Sequence, residues 1–227
     1  ATEGDPHWQA QVQRLPRNHG SAEEVLAAQP DLVIVGAYTT AAARQLLART
    51  ATPVLVLQPA QDWQGIRAVT RQVAAAVGEV QRGEQLLAEM DATLAQLAAT
   101  RPADPLRVIG WSGGNDVPGR DTLFDAILSA AGAINVGAAA AGRSDFDLEQ
   151  LLRLRPQVLL RGAAYASTPS MRNEVAAHRV VRRLYAGAQL TYPEAVYGCG
   201  VPRAAQLAAQ LRQQLLAVRT ARREGAP

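Results

Sequence analysis

The chain has 227 residues, with 23 basic and 20 acidic side chains, and its sequence pI is near 9.5. All basic residues are arginines, which excludes a P-loop nucleotide site and Schiff-base catalysis, because both need lysine. The single cysteine, Cys199, excludes an internal disulfide and a cysteine metal cluster. The arginines are spread along the sequence without interleaved aromatics, so nucleic-acid binding is not predicted.

The first part of the sequence alternates helix and strand patterns. Ser21 and Glu24 have the spacing of a capping box at a helix start, and Pro30 ends this helix before a predicted strand at residues 32–35. A second helix at residues 41–49 and a second strand at residues 53–57 follow. Short apolar runs of this kind are typical of strands buried on both faces of a parallel sheet, so the pattern predicts α/β architecture.

Residues 66–99 have helical periodicity almost throughout, interrupted only by Gly78 and Gly83. A continuous helix of this length would be about 50 Å long. We predict that it forms a stiff connection between two lobes.

The α/β pattern resumes after the residues RPADP at 101–105. A strand is predicted at residues 106–110, and a helix at 122–131 with Gly132 at its end. A helix starting at residue 148, capped by Asp147 or Ser144, leads through Pro156 to a strand at 158–160. The remaining predictions are a helix at about 170–184, a strand at 188–191 and a final amphipathic helix at 203–219.

One helix–proline–strand segment occurs in each half of the chain. The stretch EEVLAAQPDLVIVGAY at residues 23–38 resembles LEQLLRLRPQVLLRGAAY at 148–165, and aligning the prolines matches Gly36 with Gly162. The sequence therefore predicts two Rossmann-like α/β lobes with parallel sheets, at residues 1–65 and 101–227. One long helix at residues 66–100 would bridge them.

Six of the ten aromatic residues follow the ends of predicted strands. Ligands of open α/β sheets bind outside the carboxyl ends of the strands, so these rings predict an aromatic-lined cleft between the lobes. For each ring the alternative is a loop residue folded back against the core. The six residues are Tyr38, Trp63, Trp111, Tyr165, Tyr192 and Tyr197.

Two further residues are candidates for ligand contact. Arg161 ends a strand and would face an anionic ligand, although an ordinary exposed arginine is equally consistent with its position. His19 precedes a helix start, where a ligand can approach or where it would simply belong to the capping loop.

Enzyme signatures are absent, since the sequence has no GxGxxG after a strand, no HExxH and no GxSxG. An α/β enzyme of the chelatase or reductase kind remains the alternative, with His19 or Cys199 in its cleft. A bare interaction module with an exposed apolar surface is the third hypothesis. Neither a metal site nor a cofactor of the protein's own is predicted.

The sequence resembles the periplasmic binding proteins of ABC importers that carry iron–siderophore complexes, haem or cobalamin. The similar motifs are GSAEEVLAAQPDLVIVG, VAAAVGEVQRGEQLLAEMDATLAQL, TLFDAILSAAGAINV, FDLEQLLRLRPQVLL and VYGCGVPRAAQLAAQL. They occur in the expected order over nearly the whole chain. The resemblance implies two lobes joined by one long helix, a periplasmic location, a monomer, capture without catalysis, and delivery of the ligand to an ABC permease.

The same resemblance implies which residues face the ligand. Tyr38 and Trp63 would contribute from the first lobe, with His19 as an outer candidate. The second lobe would contribute Trp111, Arg161, Tyr165, Tyr192 and Tyr197. Aromatic walls favour a corrinoid or haem, whereas Arg161, with Arg120 or Arg143, suits an acidic ferric chelate.

Two departures from the family pattern are expected to matter. Relatives begin with a further strand–helix unit, so the chain resembles a form truncated at its N-terminus, and it shows no signal peptide. Relatives also carry a glutamate on each lobe for the permease. Here the first-lobe helix reads AAARQLL, without an acid in its opening turn, and Glu174 is only a loose candidate in the second lobe.

Overall fold

The computed structural model of the chain describes Gln11 and residues 13–16, 21–111, 117–139, 146–163, 178–193 and 200–224. The first unit, residues 21–57, contains α1 (Ala22–Ala27), β1 (Val33–Gly36), α2 (Ala41–Ala48) and β2 (Val54–Leu57). Two helices follow, α3 (Trp63–Ala76) and α4 (Val80–Ala99). The second unit, residues 101–224, contains β3 (Arg107–Gly110), α5 (Leu123–Ala130), β4 (Ile134–Asn135), α6 (Leu148–Leu154), β5 (Val158–Gly162), α7 (Arg179–Leu184), β6 (Gln189–Tyr192) and α8 (Ala204–Glu224).

Short polar side chains cap the helices where the sequence predicts it. The Ser21 hydroxyl accepts a hydrogen bond from the backbone N–H of Glu24 at 3.2 Å. Asp147 accepts from the N–H of Gln150 at 2.9 Å and begins α6. Each cap satisfies a backbone donor that the first helical turn leaves without a partner, so these helix starts are fixed locally by the sequence.

Both sheets are parallel, which confirms the predicted α/β class. In the first unit β1 pairs with β2, with Val33 opposite Val54 and Gly36 opposite Leu57. The second sheet has the strand order β4-β3-β5-β6. The chain therefore leaves β3 toward β4 on one side and then returns to place β5 on the other side of β3. The two-residue strand β4 was not predicted from the sequence.

The second sheet separates two apolar clusters. Alternate strand residues such as Val108 and Leu160 belong to the main cluster, which also includes side chains of α3, α4, α5 and α8. Ile109 and Leu159 point to the opposite cluster, together with residues of α6 and α7. This alternation is the period of two that a β-strand imposes on its side chains, and it leaves both faces of the sheet covered.

The first unit has a much smaller core. Ala22, Val33 and Leu47 are its buried residues, and they lie between one face of the β1–β2 sheet and the helices α1 and α2. On the other face of this sheet Ile34 is 44% exposed. Among the described elements, the helices and strands of the first unit pack chiefly against one another.

The prediction of one continuous helix over residues 66–99 is wrong. The chain forms α3 and α4 instead, with a turn at residues 77–79 in which Gly78 has a φ of +76°. A non-glycine residue adopts a left-handed backbone conformation only at a cost in free energy. At Gly78 this conformation ends α3. The predicted bridge at residues 66–100 therefore contains two helices instead of one. The division of the chain into lobes at these residues remains a prediction.

The two helices lie side by side and antiparallel. Arg67 near the start of α3 bonds Asp91 in the middle of α4 at 2.5 Å, and Arg71 bonds Glu84 at 2.7 Å. Close to the turn, a Cβ added to Gly83 would lie only 2.5 Å from the Cβ of Ala74. The Arg71 guanidinium lowers the pKa of Glu84 by hydrogen bonding. These contacts form a helical hairpin, which we call the α3–α4 hairpin.

Replacing Gly78 with alanine is expected to destabilise this hairpin. A Cβ at Gly78 would meet no atom within 4 Å, so the cost comes only from the left-handed backbone, about 1–2 kcal/mol. Urea denaturation should show this loss of unfolding free energy. The matched control is Gly36→Ala, which also has open space but no positive φ, and an equal loss in both variants would contradict the explanation.

Candidate functional site

The strand order of the second sheet creates a switch point between β3 and β5, because the chain leaves these neighbouring strands in opposite directions. The backbone N–H of Trp111, directly after β3, donates to the carbonyl oxygen of Leu160 at 2.9 Å. Trp111 and Arg161 therefore come together at the carboxyl edge of the sheet. In open α/β sheets this edge is where ligands bind.

The structure nevertheless places the Trp111 ring in the core. Only 1% of the residue is exposed, and its ring lies edge-on to that of Phe146, with 5.9 Å between the ring centroids. Trp111 continues the alternation of Ile109 into the opposite cluster. Its predicted role as a cleft wall is therefore corrected, since a ring buried in this way offers a ligand no surface.

Arg161 lies at the edge itself. It is half-buried, and in the ladder it is opposite Thr191 of β6. Burial lowers the pKa of the Arg161 guanidinium, although an arginine keeps its charge at neutral pH. A cation that is partly removed from water interacts more strongly with an anionic group than an exposed cation does. Arg161 is therefore suited to orient an acidic ligand at this edge.

Tyr192 ends the neighbouring strand β6, opposite Gly162. Its ring is half-buried and packs against that of Phe124, with 5.4 Å between the centroids. Phe124 in turn lies over Gly110, where an added Cβ would be 2.6 Å from the Phe124 Cζ atom. The Tyr192 ring is thus held in position by Phe124, a residue that was not among the predicted site residues.

The first unit presents two aromatic rings after its strands. Tyr38 follows β1 and is 89% exposed. Trp63 is the first residue of α3, after Asp62 has capped that helix by accepting from the Gly65 N–H at 2.7 Å. The Trp63 ring is half-buried against the main cluster. Of these two rings, that of Tyr38 is open to a ligand, whereas that of Trp63 packs partly against the core.

The segment that follows β2 packs against the second unit. Ala60 is 8% exposed and belongs to the main cluster. A Cβ added to Gly200 would overlap the Cβ of Ala60 and lie 3.4 Å from its Cα. Ala60 precedes Trp63 by three residues, and Gly200 follows Tyr192 by eight. We call this the Ala60–Gly200 contact, and no pattern in the sequence indicates it.

Three predicted ligand residues, His19, Tyr165 and Tyr197, lie outside the described residues, as do Cys199 and the predicted docking residue Glu174. The convergence of all the rings on one cleft therefore stays a prediction. An open hollow of about 320 Å³ occurs elsewhere, between α4 and the start of α8. Its lining contains none of the predicted ligand residues and consists of Leu86, Glu89, Met90, Pro202, Arg203 and Gln206.

Within the described part of the chain, no group of three or more His, Cys, Asp or Glu side chains is placed to hold a metal ion. No helix in that part has both the length and the apolar character needed to cross a membrane.

Comparison with known proteins decides the family. A family model described as periplasmic binding protein matches residues 2–190. The chain belongs to this family. It is accordingly a periplasmic protein that binds a solute, and the two-lobe α/β fold implied by the sequence motifs is confirmed. A search of curated protein sequences found no match.

Solved structures of periplasmic binding proteins share the fold. The haem-binding protein RhuT from Roseiflexus sp. RS-1 is 24% identical over 87% of this chain and 80% of its own, with a TM-score of 0.71. The haem-binding protein HutB of Vibrio cholerae is 21% identical over 90% and 86%, with a TM-score of 0.73. The molybdate-binding protein MolA of Haemophilus influenzae is 21% identical over 86% and 68%, with a TM-score of 0.69. Because these ligands differ so much, the fold does not determine the ligand of a given member.

Proposed function

We propose that this periplasmic binding protein captures a bulky metal chelate or tetrapyrrole-like ligand and delivers it to an ABC permease. The candidate ligands are haem, cobalamin and ferric siderophores. The metal would arrive inside the ligand, and the protein would need no cofactor of its own. The 89% exposed ring of Tyr38 at the carboxyl edge of β1 is the observation that carries this proposal.

An exposed tyrosine in this position is suited to recognise a large flat ligand. Its ring contributes apolar contact area with only two rotatable side-chain bonds to order, and its hydroxyl can bind a polar group or a metal. Arg161 adds a partly dehydrated cation at the carboxyl edge of the other sheet. An aromatic face together with a cation fits an anionic macrocycle or chelate better than it fits a small oxyanion such as molybdate.

The alternative function is an enzyme of the chelatase or reductase type. It would require a titratable cleft residue, and the sequence offers His19 and Cys199 for that role. Membership in a family of binding proteins favours capture without turnover. Recovery of the ligand unchanged after incubation, checked by mass spectrometry, would distinguish capture from catalysis.

Fluorescence titration of the purified protein with haem, cobalamin, several ferric siderophores and molybdate tests the proposal. We expect saturable quenching by one of the bulky ligands, with one ligand bound per chain. Tyr38→Ala should weaken binding of that ligand about tenfold, equivalent to about 1.4 kcal/mol, because it removes the exposed ring. Val77→Ala is the control, since Val77 is an exposed side chain at the turn of the α3–α4 hairpin. Binding of molybdate alone, or no binding across the panel, would contradict the proposal.

A further inference from the structure

The amino edge of the second sheet lies opposite the edge that carries Arg161 and Tyr192. Strands β3, β5 and β6 are parallel neighbours, so the residues that lead into them lie side by side, with about 4.8 Å from one strand to the next. Helices α4, α5, α6 and α7 each end a few residues before a strand of this sheet begins. Their last turns therefore lie at the same amino edge.

Contacts between neighbouring elements bring arginines to this edge. Arg107 begins β3, and its Nη2 donates to a carbonyl oxygen at the end of α6 at 2.8 Å. Arg219 near the end of α8 donates to the carbonyl oxygen of Asp104, shortly before β3. Arg222 is close enough to Tyr185 to oppose the rise in the pKa of the tyrosine that burial causes. The end of α8 therefore lies against the amino edge as well.

Arginines that are far apart in the sequence thus come together. Six exposed arginines lie at this edge with two exposed carboxylates, Asp104 and Glu224. The helix ends that meet there contribute about half a negative charge each, which is less than the excess of arginines, so the edge keeps a positive charge. We call these six arginines the basic edge: Arg101, Arg107, Arg155, Arg182, Arg183 and Arg222.

Exposed apolar side chains accompany the basic edge. Leu184, directly after Arg183 at the end of α7, is 54% exposed, and Leu152 in the last turn of α6 is 37% exposed. Arginines and leucines on one surface are typical of proteins that lie on anionic membranes, because the cations bind lipid phosphates while the apolar side chains enter the headgroup region. For an acidic protein partner the arginines would be enough, and the leucines favour a lipid surface.

We propose that the basic edge binds a membrane surface that carries anionic phospholipids. In that orientation the carboxyl edge of the sheet, with Arg161 and Tyr192, faces away from the lipid and stays open to solvent. The two edges are separated by the length of strands of four or five residues, which is about 15 Å. This inference goes beyond the proposed function and does not depend on it, because membrane binding can be measured without a ligand.

Cosedimentation with lipid vesicles tests the inference. The full chain should bind vesicles of phosphatidylcholine that contain phosphatidylglycerol, and bind vesicles of phosphatidylcholine alone much more weakly. Added salt should release it, because the Debye length falls from about 10 Å at 0.1 M to about 3 Å at 1 M. Combining Arg182→Gln, Arg183→Gln and Arg222→Gln should lower the partition coefficient about 100-fold, since each arginine near an anionic surface contributes about a factor of five.

The matched control combines Arg14→Gln, Arg49→Gln and Arg82→Gln. It removes the same charge from exposed arginines outside the basic edge, and its partition coefficient should change little. Leu184→Ala should weaken binding and leave its salt dependence unchanged, because it removes apolar contact and no charge.

Circular dichroism checks that each variant folds. If the triple variant of the basic edge does not fold, Arg101→Gln combined with Arg155→Gln removes two charges from the same edge and should lower the partition coefficient about 25-fold.

Equal losses in the two triple variants would overturn the inference, as would equal binding to both kinds of vesicle or no binding at low salt. An unchanged affinity in Leu184→Ala would also contradict it. Binding of a polyglutamate peptide by a protein that does not bind the anionic vesicles would identify an acidic protein as the partner and overturn the assignment to lipid.

Discussion

Replacing Arg212 with leucine is expected to cause the largest loss of stability among single substitutions in the second unit. Arg212 lies on α8 and is 5% exposed. Its Nη1 donates to the carbonyl oxygens of Leu97 at 2.7 Å and Thr100 at 3.0 Å, at the end of α4. Its Nη2 and Nε donate to the carbonyl oxygens of Ala130 at 2.7 Å and Ala131 at 3.0 Å, at the end of α5.

One guanidinium therefore caps two helices. The last carbonyl groups of a helix have no partner within it, and the C-terminus carries a partial negative charge of about half an electron. Burial disfavours the charged form of Arg212, as the lowered pKa of its guanidinium indicates. The partial negative charges of the two helix ends compensate this cost. Hydrogen bonds from a charged donor contribute about 1.5–3 kcal/mol each, and they are not additive.

Arg212→Leu should lower the free energy of unfolding by about 3 kcal/mol or more, because it leaves these buried carbonyl groups without donors. Urea denaturation followed by circular dichroism measures the loss. Arg219→Leu on the same helix is the matched control, since Arg219 lies closer to the surface and its described hydrogen bond is to the carbonyl oxygen of Asp104. A loss of unfolding free energy below about 1 kcal/mol, which is the average effect of a single substitution, would show that the caps are dispensable.

The second large effect is expected for Gly110→Ala. A Cβ at this position would lie 2.6 Å from Cζ and 3.0 Å from Cε2 of Phe124. The Phe124 ring is in the main cluster and supports Tyr192, so it cannot move without disturbing both. Overpacking of a core in this way typically costs about 1–3 kcal/mol.

A double substitution tests whether the stability loss in Gly110→Ala comes from this overlap or from a general intolerance of side chains in β3. Phe124→Leu shortens the residue over Gly110, and in that background Gly110→Ala should cost much less than in the wild type. Thermal unfolding of the four proteins gives the coupling free energy between the two positions. Additive losses would mean that the glycine is required for some other reason.

Much of the local structure follows from the sequence because its causes are local. Ser21 and Asp147 begin helices since their side chains accept from a backbone N–H three residues later. The helix–proline–strand segment is found in both units, with β1 and β5 as its strands. The parallel sheets follow from apolar strands that alternate with helices.

The α3–α4 hairpin was mispredicted because amphipathic periodicity does not record the direction of a helix. Gly78 and Gly83 both interrupt the pattern, and only the structure separates their roles. Gly78 takes a left-handed conformation and turns the chain, whereas Gly83 stays helical and allows α4 to approach Ala74 of α3. A glycine that turns the chain and a glycine that permits close packing look alike in a single sequence.

The candidate site was predicted only in part for a similar reason. Position after a strand identifies the carboxyl edge, and Tyr38 is indeed exposed there. Trp111 also follows a strand, but it continues the face of Ile109, a period-two signal that was available in the sequence and predicts burial. Arg212 carries no such signal, because its carbonyl partners come from helices that are distant in the sequence.

The small core of the first unit has a consequence for the energetics of capture. With only Ala22, Val33 and Leu47 buried, this unit should open by local unfolding at a lower free energy than the sheet that Arg212 braces. A ligand that bound across both units, as the proposed function requires, would complete the folding of the weaker one. Part of the intrinsic affinity would be used for that ordering, so the apparent dissociation constant should rise steeply with temperature well before the second unit melts.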